Sequence, residues 1–348
     1  MHEALFYEKK EENRVLCRLC PKLCRIGEGR SGFCRVRRNV GGVLYAANYG
    51  EVSSIALDPI EKKPLYHFHP GSLILSLGTV GCNLRCGFCQ NWQISQGSPQ
   101  TDYLGPAEAA ALAVREAARA GAGRRVIGLA YTYSEPFMWY EFVLDTARLV
   151  RKAGLKNVLV TNGYVNAEPL KEILPFIDAM NIDVKGFTGE YYRRACAGGL
   201  EPVLKTVEAA HGRCHVELTT LLVPGMNDGP EEIGRLVDWV AGLSPEIPLH
   251  FSRYFPNYKF DLPPTPRETL ERARQIAREK LAYVYIGNAP ELAAEDTICP
   301  GCGRPVIRRT GYRVDLSGLE ENRCRGCGRK ILPGNNGAGR PGPEDGTT

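Results

Sequence analysis

The chain has 348 residues, 44 Lys and Arg against 39 Asp and Glu, and a formal net charge of +5, with 43% hydrophobic and 24% charged residues. That is ordinary globular composition, which excludes collagen-like and charge-driven disordered classes and spreads the charge too thinly to nominate a polyanionic partner. The first ten residues lack an apolar core, and the longest apolar runs, such as Leu73 to Leu77, are far too short to span a bilayer. A cytoplasmic location without membrane attachment is the expectation.

Thirteen cysteines would be an odd set for a disulfide framework, but their grouping accounts for them. Four fall between Cys17 and Cys34, three between Cys82 and Cys89 and four between Cys299 and Cys327. Cys196 and Cys214 are left over and read as core residues. In a reducing compartment such clusters read as metal ligands.

In chain order, residues 1–71 form an N-terminal segment built around Cys17, Cys20, Cys24 and Cys34. Four thiolates suffice for one closed site, and the C-x2-C-x3-C-x9-C spacing leaves zinc and a second iron–sulfur cluster both open. His67 and His69 alternate on an expected strand and read as solvated. From 72 to 290 short β-rich runs alternate with amphipathic stretches, the mark of βαβ units and a parallel sheet. The expected strands are Leu73–Leu77, Val126–Tyr131, Asn157–Thr161, Ala179–Val184, His215–Leu222, Leu249–Tyr254 and Ala282–Ile286. The expected helices are Pro106–Ala120, Phe137–Ala153, Pro169–Phe176, Pro202–His211, Pro230–Leu243 and Pro266–Lys280, several with the proline that a first helical turn tolerates. Six strand–helix repeats and a final strand predict an α/β partial barrel with its chemistry at the carboxyl ends of the strands.

The central cysteines Cys82, Cys86 and Cys89 follow directly on the first of these strands as C-x3-C-x2-C. Three thiolates leave one iron of a [4Fe–4S] cube without a protein ligand, whereas structural zinc takes four ligands and no fourth Cys or His is near in sequence. At the other end, residues 291–334 carry Cys299-x2-Cys302 and Cys324-x2-Cys327, two knuckles that read as a zinc ribbon or rubredoxin-like module with too few apolar residues for a core. Its many arginines, Arg309 among them, read as the charged surface of a small module without a core, and since no aromatic stacking series accompanies them nucleic-acid binding is not expected. Residues 335–348 read as a disordered tail.

The loop from Gly78 to Cys89, with Phe88 as the aromatic before the last cysteine, resembles the radical S-adenosylmethionine (SAM) superfamily. The resemblance implies a [4Fe–4S] cluster whose open iron binds SAM and whose electron yields a 5′-deoxyadenosyl radical. Tyr133-Ser134-Glu135-Pro136 stands where the superfamily has Gly-Gly-Glu-Pro, which implies that Glu135 lies near the methionyl ammonium, with tyrosine and serine in place of both glycines. Thr161-Asn162 and Asp183-Val-Lys185 resemble segments of glycyl-radical-enzyme activases, which implies Thr161 and Asn162 near the ribose and Asp183 and Lys185 near the sulfonium and carboxylate. An arginine of those activases falls on Thr219 here. His250 and Arg253, on the sixth strand, read as satisfied or solvated side chains rather than substrate contacts.

The Cys17-Arg-Leu-Cys-Pro-Lys-Leu-Cys24 block, Asn48 to Ala56, Asp58-Pro-Ile-Glu-Lys-Lys-Pro-Leu-Tyr-His-Phe68 and Cys89-Gln-Asn-Trp92 together resemble the AmmeMemoRadiSam-system radical SAM enzymes, relatives of pyruvate formate-lyase activating enzymes. That likeness implies association with Memo-like and AMMECR-type proteins and does not fix a substrate; the leading expectation is hydrogen abstraction from a protein or peptide, as glycyl-radical activases perform, with an electron donor such as ferredoxin or flavodoxin. The rival expectation is radical modification of a small molecule or RNA.

Overall fold

The computed structural model describes residues 1–121 and 125–333; the expected disordered tail lies outside the described residues. Buried, β-branched and aliphatic segments build a sheet of eight strands whose spatial order follows the chain. They are β1 (Ser54–Pro59), β2 (Leu73–Gly78), β3 (Val126–Tyr131), β4 (Lys156–Thr161), β5 (Ala179–Asp183), β6 (His215–Leu222), β7 (Leu249–Arg253) and β8 (Val284–Gly287). From β2 to β8 every pairing is parallel. The expected partial barrel is the observed fold.

The near-continuous apolar character of these strands has a plain cause, because a parallel sheet is covered on both faces. All six residues of β3 are buried. Helices Pro106–Arg119, Tyr140–Lys152, Ala167–Ile173, Leu200–Ala210, Pro230–Leu243 and Arg267–Arg278 make the crossovers. Among the elements that were not expected, one strand and one helix matter here. Strand β1 lies within the segment ascribed to the N-terminal unit, yet it pairs antiparallel with β2 along its length, Leu57 opposite Leu75. Helix Gly189–Cys196 is only eight residues long. Thr188 starts it, its Oγ1 accepting from Tyr191 N at 3.1 Å, and Ala197 ends it in the left-handed conformation (φ 51°).

The N-terminal region folds as short antiparallel strands, His2–Glu3, Val43–Ala46 and Arg37–Val40 in one group and Tyr7–Lys9, Val15–Cys17 and Arg25–Ile26 in another. It is joined to the barrel by a fully buried ion pair, Arg37 to Glu141 at 2.9 Å, and Glu141 also accepts Leu5 N at 2.7 Å.

The C-terminal region corrects two expectations. Val306, Ile307, Leu319, Ile331 and Leu332 are buried with Cys299 and Cys324 as a small core of its own, because its hairpins turn their few apolar residues to one side. Arg309 is not part of a solvated charged surface: it is buried, lies 4.2 Å over the Tyr66 ring and donates to the carbonyl oxygens of Tyr66 and Glu295 at 2.8 Å each.

His67 is likewise not solvated. It is buried between Tyr285, whose hydroxyl is 2.6 Å from its Nε2, and the Ile331 carbonyl, 3.2 Å from its Nδ1. His250 is satisfied as expected, 2.7 Å from the Glu217 carboxylate. That carboxylate is fully buried and also takes His215 at 2.9 Å and the backbone N–H groups of Tyr66 and His67 at 3.0 and 2.7 Å.

Burial pushes His67 down from 6.5 to about 3 and His69 to about 4. The folded chain therefore refuses protons that the unfolded chain accepts. Their contribution to stability is complete above about pH 6.5 and drains away as the pH falls towards these lowered values. Urea midpoints should drop between pH 7 and pH 5, and the drop should be smaller in His67→Gln; an equal drop would show that His67 stays protonatable in the fold.

Candidate active site

The carboxyl ends of β2 to β5 bring together the side chains that the sequence singles out. β2 ends at Gly78 and the chain turns into the loop bearing Cys82, Cys86 and Cys89. The unexpected helix Gly189–Cys196 shapes that loop, since Arg85 N donates to Cys196 O at 2.8 Å and Gly87 N to Ala195 O at 3.0 Å. Cys86 is buried, and Cys82 and Cys89 are half-buried. Their sulfurs meet donors: Leu84 N is 3.4 Å and Asn162 Nδ2 3.6 Å from Cys82 Sγ, and Ser95 Oγ is 3.2 Å from Cys89 Sγ. Such contacts tune iron–sulfur potentials. Cys196, read from sequence as a plain core residue, is fully buried, and its thiol lies close enough to Cys86 to push the Cys86 thiol up.

Phe88 is buried, with its ring centroid 5.7 Å from Phe260 and 6.2 Å from Tyr191. It holds the loop down by packing.

Glu135, just past β3, is 2% exposed. Its carboxylate accepts Phe137 N at 3.0 Å, Thr161 Oγ1 at 2.7 Å and Asn162 N at 2.8 Å. The same carboxylate thus caps the helical turn Pro136–Trp139 and ties it to the end of β4. Burial raises this carboxyl to about 7, against the pull of those donors and of Lys185. A carboxylate offers about four lone-pair sites, so three filled sites leave about one for a ligand ammonium. Asn162 extends the set, donating to Asn83 Oδ1 at 3.0 Å.

Asp183 and Lys185 form an ion pair at 3.0 Å, both partly exposed at the end of β5. Lys185 N donates to the Tyr192 hydroxyl at 3.0 Å. Thr219, where activases carry arginine, donates to Asn181 Oδ1 at 3.0 Å, so its hydroxyl is already used. Arg253 pairs with Glu291 at 2.8 Å.

A radical SAM superfamily model matches residues 76–240. A protein of Methanocaldococcus jannaschii, itself uncharacterized, is 47% identical over 340 residues, 95% of this chain and 99% of that one. The chain belongs to the radical SAM superfamily. It is also similar to the pyruvate formate-lyase 1-activating enzyme of Escherichia coli (strain K12), with 24% identity over 219 residues, 57% of this chain and 86% of that one. A radical SAM methyltransferase from Sphaerobacter thermophilus shares the fold at a TM-score of 0.50 and 18% identity, covering 65% of this chain and 70% of the other.

One of the two glycines missing from the radical SAM pattern is accounted for by the structure. Tyr133 holds φ at +68°, a left-handed conformation that glycine adopts without cost and other residues rarely do. Its side chain keeps it there, because its hydroxyl donates to Asp58 and Lys63 Nζ lies 4.6 Å over its ring. Asp58 and Lys63 are themselves a buried pair at 2.7 Å, with Lys62 adding a contact at 2.9 Å. Although burial opposes it, these partners hold the Asp58 carboxyl well below the usual carboxylate range. Ser134 has a buried hydroxyl with no partner among the described residues. The Asp58–Lys63 motif is thus the brace of the Glu135 turn, a role the one-dimensional sequence did not suggest.

Lys63→Met should destabilise the fold by about 3 kcal/mol, the low end for breaking a buried pair because Lys62 and Tyr133 still contact Asp58. Tyr133→Phe, which keeps the pair, should cost about 1 kcal/mol. Denaturant midpoints of the two variants check the order; equal losses would place the brace elsewhere.

Proposed function

We propose that this protein cleaves SAM reductively and uses the resulting radical to abstract hydrogen from a protein or peptide substrate, as an AmmeMemoRadiSam-system enzyme related to glycyl-radical activases. The observation that carries the reading is the meeting of the Cys82–Cys86–Cys89 loop with Glu135, Thr161, Asn162, Asp183 and Lys185 at one edge of the sheet. The residues fit the cofactors: three thiols stand on one loop with hydrogen-bond donors at two of the sulfurs. The Ser134 hydroxyl is still without a partner among the described residues.

Cys82, Cys86 and Cys89 would hold a [4Fe–4S] cluster, which supplies one electron to bound SAM so that the sulfonium bond breaks into methionine and a 5′-deoxyadenosyl radical. The chain's own part is positional. Glu135 offers its remaining lone pair to the ammonium, Thr161 and Asn162 fix the turn beside the ribose, and Lys185 offers a compact cation to a carboxylate. Phe88 and Phe260 keep water from the loop.

Macromolecular substrate binding is supported by exposed aromatics next to the cysteine loop. Trp92 and Tyr258 are each 37% exposed and Phe255 44%, and Trp92 stacks on Tyr258 at 5.2 Å. Aromatic surface of this kind is what protein interfaces enrich. The low-potential electron donor is of the ferredoxin or flavodoxin class. Memo-like and AMMECR-type proteins are candidate partners. The C-terminal four cysteines have Sγ pairs at 3.5 and 3.6 Å, which suits one zinc that supports the local fold.

Anaerobic reconstitution with dithionite and SAM should release 5′-deoxyadenosine, and Cys86→Ala should abolish the release; SAM cleavage by that variant would refute the reading. Lys185→Ala should weaken SAM binding by roughly ten- to hundredfold, the cost of roughly 1.5–3 kcal/mol for a charge-assisted contact. Unchanged binding with a lowered Tm would make Asp183–Lys185 a purely structural pair. In the full chain, Cys302→Ala/Cys327→Ala should lose about one zinc and retain SAM cleavage.

A further inference from the structure

The N-terminal cysteines have no place in this chemistry so far. Cys17, Cys20 and Cys34 are buried and Cys24 half-buried, and all four line one enclosed space with Lys22, Phe33, Arg37 and Asn83. The C-terminal four show how a single-ion set looks in this chain. Their ligand atoms lie within 4.8 Å of one another, near the ~3.8 Å between sulfurs that a tetrahedron of Zn–S bonds requires. Among the described residues no other group of three or more Cys, His, Asp or Glu is gathered so tightly. The N-terminal thiols are therefore more widely set, as are Cys82, Cys86 and Cys89. A cube of four irons holds its thiolates farther apart than one ion does, since each sulfur sits outside a corner iron. This comparison with the triad rests on the reading of that triad as an iron–sulfur site.

We propose that Cys17, Cys20, Cys24 and Cys34 bind a second [4Fe–4S] cluster. Four thiolates close it, which makes it an electron-transfer centre rather than a second site of SAM binding. A second observation concerns Arg37. It is 1% exposed, stands in the wall of the space close enough to Cys17 and Cys34 to feel their charge, and its Nε has no partner among the described residues. Its two terminal nitrogens serve Glu141 and the Leu5 carbonyl. A buried N–H left over beside four thiols is matched by the sulfur atoms of an anionic cluster.

The placement suits electron traffic. Asn83, between Cys82 and Cys86, lines the N-terminal space itself. Gly81, at φ +90°, lies so close that a Cβ there would stand 2.8 Å from the Cys34 carbonyl oxygen and 2.6 Å from Val36. Arg35 donates to the Ser95 carbonyl at 2.9 Å, beside the Cys89 contact, and Lys22 donates to the Ala197 carbonyl, one residue past Cys196. The two cysteine sets share one wall. The N-terminal cluster cycles by one electron, the external carrier of the ferredoxin or flavodoxin class being oxidised by one as the cluster is reduced by one, with no bond made or broken.

The test is anaerobic reconstitution of the full chain with iron and sulfide in the presence of zinc. Cys82→Ala/Cys86→Ala/Cys89→Ala should keep about four irons per chain, with a dithionite-induced paramagnetic signal that SAM does not alter. Cys20→Ser/Cys24→Ser should lose about four irons and keep the signal that SAM does alter. Zinc beyond the C-terminal equivalent, or no metal, at the N-terminal thiols of the triple variant would overturn the proposal even if the double variant fails to fold. Failure of the triad reading is distinguishable, since the triple variant would then lose no iron relative to the native chain.

Discussion

A carboxylate taken out of water must find donors, and the Glu135 carboxylate finds three of them on two different pieces at the carboxyl end of the barrel. Phe137 N belongs to its own turn, Thr161 Oγ1 and Asn162 N to the end of the next strand. Through Asn162 the set reaches Asn83 and Cys82 on the cysteine loop. Leaving any of these unmade would strand polar groups in a site with little access to water, which costs more than the hydrogen bond gains. The cysteine loop, the capped turn and the β4 end are therefore held as one unit. The left-handed Tyr133 is the strain that this unit tolerates, and the Asp58–Lys63 pair is what holds it.

The same logic recurs at the start of β6, where Glu217 gathers His215, His250 and two backbone N–H groups of the segment before β2. His67 then reaches the Ile331 carbonyl, and Arg309 reaches back to Tyr66. On the other flank Arg37 and Glu141 join the N-terminal strands to a barrel helix. Buried charges that are paired across segments do not by themselves add much stability, but breaking one is expensive. The flanking regions are thus locked in register with the barrel rather than tethered to it, and the N-terminal cysteines come to lie against the catalytic loop.

Three sets of one residue type differ here in how they are held in space. The C-terminal sulfurs are close enough for one ion. The central three stand on a single loop braced by a helix end, and the N-terminal four line one space walled by Asn83 and Arg37. Sequence spacing alone does not distinguish the first from the last, since both can close a four-thiolate site.

The parallel barrel and the cysteine loop at its edge were legible in the sequence because they rest on local signals. Apolar runs such as Leu73–Leu77 and Val126–Tyr131 read as strands because a strand buried on both faces tolerates little else. Glu135, Thr161, Asn162, Asp183 and Lys185 stand where strands end, but it is their resemblance to radical SAM and activase segments that singles them out. What the chain order could not convey is which distant polar groups neutralise one another. His67 looked solvated until Tyr285 and Ile331 closed around it, Arg309 looked like surface until Tyr66 lay under it, and Cys196 looked like filler until the short helix Gly189–Cys196 carried its thiol to Cys86. Local hydrophobic pattern sets the elements, whereas these partners of His67 and Arg309 lie more than two hundred positions away in the chain, and only the tertiary structure decides those.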